Sequence, residues 1–168
     1  MKTKNLIISL LSAGILASAT AVTAKTPPPK PVASLTVEAA QTAAMTALQQ
    51  CRTQGYAVSV AVVDRHGNLV VQLRDPQAGP HTVNSAFGKA FTAASMGQPT
   101  ANVAELIATN PALAGLRDMD SRMVILGGGL PMAIDGNRVG GIGVGGAPGG
   151  HLDAACAQSG LDSVGARL

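Results

Sequence analysis

The hydrophobic period of the chain switches from two to about 3.6 within residues 56–96, and that switch restricts what can be built around it. In residues 57–63, valines at 58, 60 and 62 alternate with small residues, which predicts a strand buried on both faces and central in its sheet. His66-Gly67-Asn68 supplies a turn. The next run puts Leu69, Val71 and Leu73 on one face and Val70, Gln72 and Arg74 on the other, as in a half-covered strand. From Val83 the apolar residues recur at Phe87, Ala90 and Ala94, the spacing of a helix with one buried side.

The opposite side of that helix carries a stripe of His81, Ser85, Lys89, Thr92 and Met96. A histidine that opens a helix faces the positive end of the dipole, which favours the uncharged ring that ligates metals. The alternative is a capping or solvated histidine.

Residues 1–24 read as a secretory signal: Lys2 and Lys4 precede an apolar run over 6–16, and Val22-Thr23-Ala24 offers a small-residue cleavage site. The expected location is periplasmic or secreted. Cleavage changes 12 Lys+Arg against 9 Asp+Glu into 10 against 9, so the basic balance largely leaves with the leader. With one Tyr, two Phe and no Trp, the rest lacks the aromatics and basic patch of a nucleic-acid binder. No basic amphipathic helix for a membrane surface remains, so no membrane insertion is expected after cleavage. Residues 25–34, with Pro27, Pro28, Pro29 and Pro31, form a stiff linker, and 35–168 form one domain. Its core must be built from Ala, Val, Leu and Ile, and the shortage of large side chains predicts further burial in a homo-oligomer.

Thr36 can cap a first helix with Val37, Ala40, Ala44, Leu48 and Cys51 inside, ended by Gly55. Gly97 and Pro99 stop the second helix, and Thr100 can cap a short one through 108. Residues 111–121 read as a loop with at most one helical turn. Residues 123–126 read as a short strand, 130–134 as another, and Asp135-Gly136 as a hairpin turn. In the last strand, 138–145, Ile142 and Val144 share one face while Gly141, Gly143 and Gly145 leave the other as bare backbone, open to a helix, a neighbouring subunit or a flat ligand, of which a packed helix is the commonest. A helix over 150–159 ends the domain.

Cys51 and Cys156, 105 residues apart on the first and last helices, are expected to form a disulfide in an exported protein; two buried thiols or a thiolate on iron are the alternatives. The GxGxxG match at 141–146 comes too late in the chain for a dinucleotide fold, and no nucleophile elbow, zinc pair, P-loop or CxxC is present. Asp118 and Asp120 read as loop acids. His66, His81 and His151 have no metal-site spacing.

The segments VSVAVVDRHGNLV, GPHT, KAFTAAS, GGGLPM, VGGIGVGGAPGG and DAACAQSG, in this order, resemble the exported haem-binding and glycolate-operon accessory family, the HbpS/GlcG-like proteins. The resemblance covers residues 35–164. It implies an α+β, profilin-like fold, an antiparallel sheet of about five strands with helices packed around it, commonly in higher oligomers. The paired cysteines resemble an exported subgroup.

The resemblance also implies a non-enzymatic haem (tetrapyrrole) binder for storage, delivery or sensing. The GPHT match carries the ligand role to His81. Lys89 would pair with a propionate, and Ser85 and Thr92 would flank the site. Members often carry serine in GVSG where this chain has Gly145, so one hydroxyl is absent there. Met96, Met119, Met123 and Met132 are candidate second axial ligands, each with a packing role as the alternative. Two other readings stay open: an enzyme or accessory protein for a small organic acid, with His81 as acid/base and Lys89 as anchor, or a ligand-free oligomeric partner of a membrane sensor.

Overall fold

The computed structural model describes residues 34–166. The signal and linker expected over 1–34 fall outside them, apart from residue 34. Thr36 caps α1 (Val37–Thr53), its Oγ1 accepting the Ala39 N–H at 3.2 Å. Ala40, Ala43, Ala44, Ala47, Leu48 and Cys51 form the buried face. Val37, expected inside, is 52% exposed because it starts the helix before the sheet comes alongside.

Strands β1 (Ser59–Asp64) and β2 (Leu69–Arg74) form the expected hairpin, and β3 (Gly129–Ile134) and β4 (Asn137–Gly145) form a second. Its Asp135-Gly136 turn has both residues at positive φ, 51° and 74°, as a two-residue connection with matching twist requires. β1 pairs with β4, so the sheet is antiparallel in the order β2-β1-β4-β3. It has four strands instead of about five. Residues 123–126 add no strand: the Val124 N–H is taken by Thr92 Oγ1 at 3.0 Å and not by a neighbouring strand.

The two faces of the sheet differ in grain. Val60, Val62, Leu130, Met132, Ile142 and Val144 point toward α1 and α4 (Gly150–Ser163), where the larger aliphatics gather. On the other face Ala61 and Val63 meet Ala86, Ala90 and Ala94 of α2 (His81–Met96). A Cβ on Gly141 would lie 2.5 Å from Ala90 O, and one on Gly143 would run into Ala86 O and Ala90 N. The bare glycine face therefore receives a helix almost backbone against backbone. This close approach also sets the helix's rotation: Ala86 turns inward, while Val83 and Phe87, expected to lead the buried face, are half-buried at its side.

α3 (Thr100–Thr109) and a 3-10 helix over Pro111–Asp118 make a side cluster with Val103, Ile107 and Ile125. The 3-10 helix replaces the expected loop, with the Asn110 side chain accepting the Ala112 N–H at its start. Thr100 is not a cap. Its hydroxyl donates to Leu126 O at 2.6 Å and accepts from Gly129 N at 2.9 Å, tying α3 to the approach to β3. Cys51 and Cys156 form a buried disulfide between α1 and α4, with Cα atoms 5.5 Å apart.

Candidate functional site

At the end of the sheet where β4 stops, the chain runs through Gly146–Gly149 into α4, beside the start of α2. An open cleft of about 360 Å3 lies there, walled by His81, Thr82 and Ser85 from α2, by Leu126 and Gly127, and by the glycine-rich turn ahead of α4, with Lys89 and Asp153 also lining it. The segment before His81 is pinned from several sides. Arg52 Nε donates to Asp75 Oδ2 at 2.6 Å, Asp75 Oδ1 accepts the Gln77 N–H at 2.9 Å, and Arg74 donates to Ala78 O. Thr82 Oγ1 donates to Gly79 O at 2.6 Å and so accepts from Ser59 Oγ at 2.8 Å, fixing the first turn of α2 to β1.

His81 opens α2 as expected and is exposed at the cleft. Ser85 is half-buried beside it. A Cβ on Gly145 would come within 2.9 Å of Ser85 Oγ, so the bare backbone at 145 makes room for the hydroxyl of Ser85. Thr92 is buried away from the cleft, donating to Gly88 O at 2.8 Å and accepting from Val124 N. Of the four methionines considered as second ligands, none lines the cleft: Met132 lies in the sheet core, Met96 and Met123 pack with α3, and Met119 is exposed. His66 and His151 are exposed outside it.

Lys89 is not a free cation. Its Nζ donates to Asp153 Oδ2 at 2.7 Å and to Val144 O at 2.9 Å, and the two side chains are only 5% and 4% exposed. Asp153 Oδ1 in turn accepts the Ala147 N–H at 3.0 Å, so the pair holds the turn between β4 and α4. Burial pushes the Asp153 carboxyl above its usual range against the opposing pull of Lys89 and the Ala147 N–H. Gly128, at φ +117°, leaves the space the pair needs: a Cβ there would meet Asp153 Cβ at 2.6 Å and Lys89 Nζ at 3.0 Å. Asp153 escaped the sequence reading because a lone acid in a first helical turn is common and 64 residues separate it from Lys89.

An antiparallel sheet with helices on both faces and a glycine-walled cleft at the end of its central strands defines a small α+β domain. Residues 35–162 match the family described as haem degrading protein HbpS-like, and the chain belongs to that family. HbpS of Streptomyces reticuli, in a doubly substituted form, is similar at 42% identity over 87% of this chain and 97% of that one, with a TM-score of 0.74. ORFY of Klebsiella pneumoniae is 29% identical over 85% and 99%, with a TM-score of 0.77. The PduOC protein, solved as a complex with haem, is 26% identical over 80% and 98%, with a TM-score of 0.75.

Proposed function

We propose that this chain is an exported, non-enzymatic protein that binds haem or a similar tetrapyrrole, with His81 as the axial ligand, and serves in storage, delivery or sensing. The observation that carries the reading is the exposed His81, the only histidine lining the cleft among the described residues. Membership in the HbpS-like family and the haem complex of PduOC support it. The cleft fits such a group on chemical grounds. It offers one exposed imidazole, the 60% exposed Leu126 as an apolar contact, and glycine backbone that lets a flat ring approach. Haem bound there would supply an iron centre with ligand-binding and redox chemistry. A propionate would have to displace Asp153 to reach Lys89, so His81 and not that lysine carries the proposed site. The paired cysteines favour an oxidising compartment. The small-residue composition favours self-association.

The test is a hemin titration of the mature protein followed by its Soret band, repeated with His81→Ala and His151→Ala. Loss of binding in the first and not the second is the expected result; an unchanged spectrum and affinity in His81→Ala rejects the ligand assignment.

A second reading is favoured by a separate observation. The starts of α2 and α4 both border the cleft together with Gly127 and Gly149, a polar setting suited to a small organic acid. Calorimetry of the haem-free protein with simple carboxylates separates the two readings.

A further inference from the structure

Lys89 is the only lysine between residue 31 and the end of the sequence. The six arginines of the described residues, Arg52, Arg65, Arg74, Arg117, Arg122 and Arg138, are all exposed. Among the described residues arginine thus stands where a cation meets solvent and lysine at the one buried cationic position, the reverse of lysine's ordinary distribution. The two cations differ in one chemical respect that matters here. An amine can lose its proton and become a nucleophile, while a guanidinium stays charged. Lys89 also lines an open cleft, and its nitrogen hydrogen-bonds a carboxylate able to take that proton.

We propose that Lys89 captures small aldehydes or ketones as an imine, with Asp153 as the proton carrier. The ammonium passes a proton along its 2.7 Å bond to Asp153 Oδ2. The freed amine attacks the carbonyl carbon, a C–N bond forms, and the carbonyl π pair moves to oxygen, which takes the proton from Asp153. The nitrogen returns one proton to the carboxylate. That proton leaves with the hydroxyl as water as the C=N bond forms. Ammonium and carbonyl compound have become iminium and water, and the iminium remains paired with Asp153. Burial raises the Asp153 carboxyl, which suits it to hold the proton during the attack. The volume of about 360 Å3 admits a molecule of a few carbons without moving the helices. The amine chemistry needs neither His81 nor haem, so it stands independently of the function proposed above.

The test uses the haem-free mature protein incubated with acetaldehyde or pyruvate, reduced with borohydride, digested and mapped by mass spectrometry. Lys25 and Lys30 precede α1 and report ordinary amine labelling in the same tube. The proposal expects Lys89 to be alkylated ahead of both. It expects Lys89→Arg, which keeps the cation, to abolish that label, and Asp153→Asn to slow it while circular dichroism shows a folded protein. A label on Lys25 and Lys30 with none on Lys89 overturns it and leaves the pair a structural one. Preference for pyruvate over acetaldehyde would assign the ligand to the oxo acids, and the reverse to neutral carbonyl compounds; either supports the proposal.

Discussion

Lys89 Nζ and Asp153 Oδ2 lie 2.7 Å apart with both side chains buried, joining the middle of α2 to the first turn of α4. Asp153→Ala leaves the ammonium with Val144 O as its one remaining protein partner and is expected to cost about 3–5 kcal/mol. The double replacement Lys89→Met with Asp153→Leu, which removes both charges and keeps the volume, is expected to cost far less. Denaturant midpoints of the three proteins check this. Equal losses in the single and double variants would show that the two groups are not coupled.

Glycines at positive φ separate backbone strain from crowding. Gly136 (φ +74°) has nothing within 4 Å of a built Cβ, so Gly136→Ala is expected to cost only the left-handed conformation, about 1–2 kcal/mol. Gly128→Ala adds a clash with Asp153 Cβ and Val144 O to the same conformational term and is expected to cost several kcal/mol and to disturb the cleft. Thermal melts of the pair, with hemin titration as the second readout, distinguish them.

The Cys51–Cys156 bridge closes a loop with a sequence separation of 105 residues. In the chain-entropy model a loop of this length contributes about 4–5 kcal/mol. Reduction, or Cys51→Ser with Cys156→Ser, is expected to lower the unfolding free energy by that order. Equilibrium unfolding with and without reductant measures it.

Three carboxyls are held below their usual range. At Asp75 the Gln77 N–H and then the Arg52 guanidinium are responsible; at Asp120 the Arg122 side chain leads and brings the carboxyl to about 2. At Asp64 burial acts upward, but the side chain of Asn68 and the backbone N–H groups of Asn68 and His66 outweigh it. In each case the unfolded chain takes up the proton first as pH falls. Their stabilisation is therefore complete above the ordinary carboxylate range, near pH 4, and is lost as pH falls toward the depressed values. Asp153, raised by burial, acts in the opposite sense, since the folded state gains its proton first on acidification. Melting temperature is expected to hold from neutral pH to about 5 and fall below about 4. Asp75→Asn is expected to melt lower at neutral pH and to show a shallower acid fall. A fall as steep as in the unsubstituted protein would remove Asp75 from the account.

The β1–β2 hairpin and α2 were legible because each keeps one hydrophobic period along its length. The glycine face of β4 also declared its need for a packed helix. Which side of α2 would meet it was less visible. Val83 and Phe87 are the strongest apolar signals, yet the bare strand admits only Ala86, Ala90 and Ala94 at close range. The run at 123–126 is apolar enough for a strand, but a side-chain hydroxyl on α2 takes one of its amides. At the cleft, His81 and Ser85 were within reach of the sequence since they share a helix face. The partner that neutralises Lys89 was not, because α4 is brought to α2 only by the closed sheet.

The bridge between α1 and α4 also decides how the domain bears load. All four strands and α2 lie inside the loop that it closes. A pull on the two ends of the domain travels along α1 to Cys51, crosses the sulfurs to Cys156 and leaves through α4. The sheet and the cleft stand outside that path as a mechanical side branch. Traction from an attached surface or partner can lengthen the chain only by the residues outside the loop, and the cleft stays unstretched while the bridge is intact.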